Sequence, residues 1–299
     1  RALIFCDPAM NKILAKEDFG DARDMFTRGN SFYVLMDTKV QVFTSKGDKA
    51  GEFYFDDDKV NSYIDEPHSL SVTPEGDVCI VDGENRQVKV FGSAGNYRLS
   101  YGISGTTPGS FLRPVAVCHD KFGNSFVLDS QRKDIQVFDT QYRVLDRQIE
   151  LEALSNPVDM LYDAVEHDLF VLDSSGQIMR IPVDHPDKAR FMRLAAGTCK
   201  RFFRTRCGIY YIAASNEGTS VLERFSQQGG SKFYQDSNFT DIDFLDVDAM
   251  GNMYLLCPTD RNGLVKVLDR DGWHLTSFGS RGNDEGQVRV PETIRVVPD

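Results

Sequence analysis

One short pattern recurs along the whole chain and restricts the fold more than any other feature. A strand-like run ends on two apolar residues and an aspartate at Phe5-Cys6-Asp7, Leu35-Met36-Asp37, Ile80-Val81-Asp82, Val127-Leu128-Asp129 and Val171-Leu172-Asp173. The last four aspartates stand 45, 47 and 44 residues apart. Two later units, Ile209 to Ile212 and Met253 to Leu256, keep the run without the aspartate. Another apolar run follows each, at Lys12 to Leu14, Val40 to Phe43, Val88 to Phe91, Ile135 to Phe138, Ile178 to Ile181, Val221 to Phe225 and Leu264 to Leu268.

Pro114 to Asp139 shows the unit most clearly. Val115 to Val117 reads as a first strand, and Asp120 to Asn124 as a turn in which Gly123 is free to take a positive φ. Ser125 to Leu128 forms a second strand ended by Asp129, and a polar link leads to a third at Ile135 to Phe138. Seven such copies occupy 299 residues, about 43 residues each. A period of about 40 to 45 residues with four short strands is that of a propeller blade. The expectation is an all-β chain, a β-propeller of four-stranded antiparallel blades, seven by count with six as the alternative, in a single domain over residues 1–299. A sandwich also has many short strands, but not one strand order at a fixed period. The longest helical candidate, Pro186 to Ala196, is short.

The two ends complete each other. Pro291 to Asp299 repeats the opening of Pro67 to Glu75, and Arg1 to Asp7 reads as its continuation. Residues 1–20 are therefore expected to complete a blade with a C-terminal strand at 291–297. Such pairing closes the ring and removes exposed strand edges.

Composition narrows the partners. The net charge of −11 argues against nucleic acid, whose binding draws on neutralised phosphates. No apolar run reaches the roughly 18 to 20 residues of a membrane span, so a soluble protein is expected. The chain begins at Arg1 rather than Met, which leans toward a processed, exported protein and leaves the compartment unassigned. No Cys-x-x-Cys pair occurs among the six cysteines; Cys6, Cys79, Cys118 and Cys257 fall in strand-like runs and read as small buried hydrophobes. Cys199 and Cys207 share one hairpin, and their bonding stays open.

Gly105 to Val117, with Gly123 to Asp129 and Ile135 to Phe138, resembles the NHL repeat; Pro67 to Phe91 is another clear copy, and Gly282 to Val297 repeats the opening half. The units near 157–181 and 198–225 depart from the pattern. The resemblance implies a β-propeller, commonly of six blades, that serves as a platform for protein and in some animal members for RNA. A few relatives are enzymes, such as the amidating lyase with its zinc and histidines, and bacterial relatives are often exported.

In a propeller, the loops joining second to third strands share one face with the links between blades, and that face is the default site. The residues assigned to a partner-binding face are Arg86, Arg132, Lys133, Arg261 and His68. Their mixture with Glu84, Asp134, Glu217 and Asp260 suits a protein partner of unknown identity. Lys188, Arg190, Arg193, Lys200, Arg201 and Arg204 form a possible basic patch, with aromatic residues interleaved, and a second alternative is RNA binding through this 188–206 strip. A metal-dependent lyase or hydrolase with its site in the central channel is the first alternative. Equivalent positions after the strand-opening proline hold His68, Val115, Val158 and Glu292, only one of them a histidine. The Asp56-Asp57-Asp58 run lacks the spacing and glycine of a calcium loop. No metal ligand, cofactor or catalytic residue is assigned. The strand-ending aspartates read as turn-formers that bond to the backbone of the following turn, because a catalytic residue has no reason to be copied around a ring. The leading expectation is a non-enzymatic protein-binding scaffold, a subunit or accessory of a larger assembly.

Overall fold

The computed structural model describes residues 2–6, 12–17, 22–44, 47–55, 61–192, 198–204, 209–216, 219–226, 231–235, 242, 244–248, 250–257, 264–282 and 287–288. Its described strands form six four-stranded antiparallel sheets in chain order. Blade 1 is Ala22–Arg28, Ser31–Met36, Lys39–Thr44 and Lys49–Tyr54. Blade 2 is Pro67–Val72, Val78–Asp82, Gln87–Phe91 and Tyr97–Tyr101. Blade 3 is Pro114–His119, Ser125–Asp129, Asp134–Phe138 and Val144–Glu150. Blade 4 is Pro157–Asp163, Asp168–Asp173, Ile178–Pro182 and Arg190–Phe191. Blade 5 is Thr198–Arg204, Ile209–Asn216, Thr219–Ser226 and Ser231–Gln235. Blade 6 is Phe244–Val247, Met253–Leu256, Val265–Leu268 and His274–Phe278. Ala2–Cys6 and Lys12–Glu17 pair as a separate two-stranded sheet.

Each sheet is a meander, and the first strands of blades 1 to 4 lie side by side at the axis. The architecture is thus an all-β propeller. Seven four-stranded blades and a closed ring are not what the described residues form. The strand expected at 291–297 lies outside the described residues, and without it the N-terminal hairpin remains two-stranded.

Turn chemistry explains why the same hairpin recurs. Residue 120 takes a backbone bond from Gly123 and donates one to Asn124, while Gly123 sits at φ 92°. Thr73, Asp139, Asp248 and Asp269 head turns of the same design. This is a three-residue hairpin with a left-handed fourth position, where glycine costs least. The Asp120 carboxylate then accepts from the Phe122 and Asn124 amides and from the Asn124 side chain.

Apolar alternation places the core between blades rather than within one. Val40, Phe53 and Phe55 pack with Leu70, Ile80 and Phe91 across blades 1 and 2. Phe126, Leu128 and Ile135 of blade 3 pack with Met160, Leu169 and Val171 of blade 4. Each such fully buried side chain contributes roughly 1.5 to 3 kcal/mol, which holds neighbouring blades face to face. Cys79, Cys118 and Cys257 are buried free thiols, as small hydrophobes should be. Burial pushes the Cys79 thiol up to about 12. The Cys199–Cys207 question lies outside the described side chains. The helical candidate at 186–196 is instead a single 3-10 turn, Pro186–Lys188, followed by the edge strand Arg190–Phe191.

Candidate functional site

The strand-ending aspartates set the geometry of one face. Asp129 accepts the backbone amides of Gln131 at 3.0 Å and Arg132 at 2.8 Å, as expected of a turn-former. It also reaches back across the interblade link to the amides of Leu112 at 2.6 Å and Arg113 at 3.0 Å. Asp82 and Asp173 repeat the arrangement, taking the amides of Asp65 and Asn85, and of Asn156 and Ser175. A fully buried carboxylate therefore ties each loop to the link that enters its own blade. Gly83, Ser130 and Ser174 close the tie by donating to the carbonyls of Glu66, Arg113 and Asn156.

Burial pushes the Asp82 carboxyl up, against the bonds from Asn85 and the Lys89 ammonium at 3.6 Å. Burial acts the same way on Asp173, but there the bonds from Ser175 and Asn156 prevail and the carboxyl lies below its ordinary range. Opposite outcomes at equivalent positions fit a structural role, since shared chemistry would need shared protonation.

The residues assigned to this face separate into three groups. Arg132 is consumed: its guanidinium bonds to Asp134 at 2.9 Å and donates to the carbonyl of Thr107 at 3.1 Å. Arg86 is exposed, and its guanidinium donates to the Ser104 hydroxyl at 2.6 Å. Lys133 is half-buried, with its backbone fixed at both ends by Asp129 and Leu151. Arg86 and Lys133 occupy the same place in their loops, both left-handed at φ 52° and 57°. His68 is the second residue of the first strand of blade 2, with its Nε2 at 3.8 Å from Glu66. Burial lowers its pKa, offset by Glu66 and reinforced by the nearby Arg113 and Arg23. Arg261 lies outside the described residues.

Sequence reasoning passed over Arg113, which the strand-opening motif disguised as part of a link. Its amide bonds Asp129, its carbonyl accepts from Ser130, and its exposed guanidinium makes no bond among the described residues. The same face carries exposed Tyr54, Tyr63, Ile103 and Val158. Large apolar residues left uncovered beside a strand end were the available signal.

The backbone of the basic strip is shared between two strands. Lys188 and Arg190 belong to the turn and edge strand on the outer side of blade 4. Lys200, Arg201 and Arg204 belong to the opposite edge strand of blade 5. Arg193 and the Asp56 to Asp58 run lie outside the described residues. Among the described residues, no three His, Cys, Asp or Glu side chains gather as metal ligands.

The inner strands carry one further polar cluster. His119 ends the first strand of blade 3 and is 9% exposed, with its Nδ1 at 3.0 Å from the Ser71 hydroxyl of blade 2. Burial, with a smaller contribution from Arg28, pushes its pKa down to about 3, so the ring is neutral at physiological pH.

Residues 65–91 match the family model described as the NHL repeat. No curated protein sequence matches the chain. Solved structures of similar fold include a streptogramin B lyase, at 12% identity and TM-score 0.70, covering 99% of this chain and 91% of that one. A catalytically inactive virginiamycin B lyase from Staphylococcus aureus with quinupristin aligns at 10% identity and TM-score 0.66, over 86% of this chain and 84% of that one. The β-propeller domain of Cps50 (Swd1) from Myceliophteria thermophila aligns at 10% identity and TM-score 0.64, over 92% of each chain. At these identities the likeness is one of fold.

Proposed function

We propose that this chain is a rigid propeller that binds a protein partner through the face built from the second-to-third-strand loops and the interblade links. The observation that carries the reading is the composition of that face. Exposed Tyr63 and Ile103 lie in the links that enter blades 2 and 3, which carry Arg86, Arg113 and Lys133, and exposed Tyr54 and Val158 lie at strand ends of the flanking blades 1 and 4. Tyrosine and arginine are the residues most enriched at binding hot spots. The backbones of Arg113 and Lys133 are tied to buried Asp129, so little conformational freedom is lost there on docking. The mixed chemistry suits a protein better than a phosphate backbone.

Native co-purification of the full chain, followed by mass spectrometry, tests this. A stoichiometric protein partner is expected, and its capture should fall when Tyr63→Ala, Ile103→Ala and Val158→Ser are combined. A chain that emerges alone and turns over a small molecule, or that carries stoichiometric zinc, would replace this reading with the lyase or hydrolase alternative. The propeller reading also includes closure of the ring by residues 291–297 with the N-terminal strands. Deletion of Pro291 to Asp299 should then lower the melting temperature sharply, and an unchanged melt would remove the shared blade.

A further inference from the structure

The pairing of charges across the molecule is uneven. The sequence holds 45 acidic residues against 34 Lys and Arg, so carboxylates outnumber the cations that could pair with them. Arg98 pairs with Asp77, Arg143 with Asp139 and Arg180 with Asp168. Arg113 and Lys133 nevertheless have no carboxylate partner among the described residues, and Arg86 has only the Ser104 hydroxyl. These three lie on one face of two adjacent blades.

Their mounting is rigid where their charge is free. Arg113 is fixed through its amide by Asp129 and through its carbonyl by Ser130. Lys133 donates its amide to the Asp129 carbonyl and accepts from Leu151. Both cations thus stand on posts tied to the same buried residue, with no anion bonded to them among the described residues. Arg86 and Lys133 hold left-handed backbone, at φ 52° and 57°, a conformation that non-glycine residues rarely adopt. Exposed Ile103 adjoins Ser104, the partner of Arg86. Glu66 and Glu84 sit on the blade 2 side of the same face, Glu66 beside His68 and both exposed. Arg113 and Lys133 both belong to the blade 3 side, where exposed Glu150 and Glu152 flank Leu151, the residue whose amide bonds the Lys133 carbonyl.

We propose that the protein partner engages this face with an acidic segment, its carboxylates held by Arg113 and Lys133 with Arg86 flanking, and its apolar side chains against Ile103 and Val158. This rests on the protein-binding reading above and specifies the chemistry of the partner. Complementary charge at a fixed, preorganised site sets register and speeds encounter, and both effects weaken as salt screens them.

The test uses the full chain and a fluorescein-labelled peptide of glutamate and leucine, with a control in which glutamine replaces each glutamate. Fluorescence anisotropy should show binding of the glutamate peptide that weakens with added salt. The combined Arg113→Glu and Lys133→Glu variant should lose about tenfold or more in affinity, whereas Lys188→Glu with Arg190→Glu, on the outer side of blade 4, should not. Arg113→Met with Lys133→Met gives the same reading without added negative charge, and an unchanged melting curve shows that either variant is folded. Equal binding of the glutamine peptide, or equal loss in the two charge-reversal variants, would overturn the proposal. A partner captured in native co-purification whose binding survives Arg113→Glu with Lys133→Glu would also overturn it, while leaving the protein-binding reading intact.

Discussion

Loops 82–87 and 129–134 occupy the same place in neighbouring blades, yet satisfy the same buried aspartate by different means. Asp129 is held by backbone amides, two from its own turn and two from the link before the blade. Asp82 takes one amide from each, and draws the rest from side chains: Asn85 at 3.0 Å and the Lys89 ammonium at 3.6 Å. Where backbone does the work, the loop side chains are released or turned to other uses. Where side chains do it, they are committed. The aspartate is the constant of the repeat, and its surroundings are what each blade varies.

The sharpest way to break this comparison is to remove the two carboxylates. Asp129→Ala leaves the amides of Leu112, Arg113, Gln131 and Arg132 without their acceptor. At about 1 to 3 kcal/mol for each unsatisfied buried group, with partial access to water, a loss of about 4 kcal/mol is expected in urea unfolding. Asp82→Ala should cost about 3 kcal/mol and leave Lys89 buried without its anion. Adding Lys89→Met should restore part of that second loss, and no single side-chain change should do so for Asp129→Ala. Equal rescue in both blades would show that the two loops are not built differently.

A second difference lies at the end of the first strand, where blade 2 has buried Val72 and blade 3 has His119. Burial holds the His119 pKa near 3, below the roughly 6.5 of an unfolded histidine. The unfolded chain therefore binds the proton more readily. The stability associated with a neutral His119 is complete above about pH 6.5 and is lost as the pH falls toward about 3. The loss is expected to be on the order of 4 to 5 kcal/mol. His119→Val should flatten this part of the pH–stability curve; a variant with the slope of the parent would rule out His119 as its source.

The smallest effects concern the loop cations. Arg132→Met breaks the bonds to Asp134 and to the Thr107 carbonyl, and should cost about 1 to 2 kcal/mol in thermal or urea unfolding. Arg86→Met, at an exposed site, should change stability by less than about 0.5 kcal/mol. If the two substitutions cost the same, Arg132 is not the committed cation of the pair.

The repeating run of strands was legible because its information is local. A period near 43 residues, alternation along each strand and turn residues at fixed offsets act within a few positions of one another, and they yielded a propeller of four-stranded meanders. The role of Asp129 as a turn-former was legible for the same reason, since Gln131 and Arg132 are its immediate neighbours. Its reach back to Leu112 and Arg113, 17 and 16 residues earlier, was not, because it depends on how a link folds against its own blade.

The same division governs the candidate site. Arg86, Arg132 and Lys133 are three similar cations in two similar loops, and the sequence determined only that all three stand beside a strand end. Whether a cation is free or consumed depends on which carboxylate or carbonyl the fold carries to it. Asp134 is a local partner of Arg132, two residues away, but tertiary structure brought the carbonyl of Thr107 to Arg132, a hydroxyl to Arg86, and, among the described residues, no anion to Arg113 or Lys133. It also placed Arg190 and Arg201, both of the basic strip, on edge strands of two successive blades. Repetition along the chain is a short-range property and was determined by the sequence itself; which loop cation is bonded and which is left exposed depends on how strands and links fold against one another, and was decided by the tertiary structure.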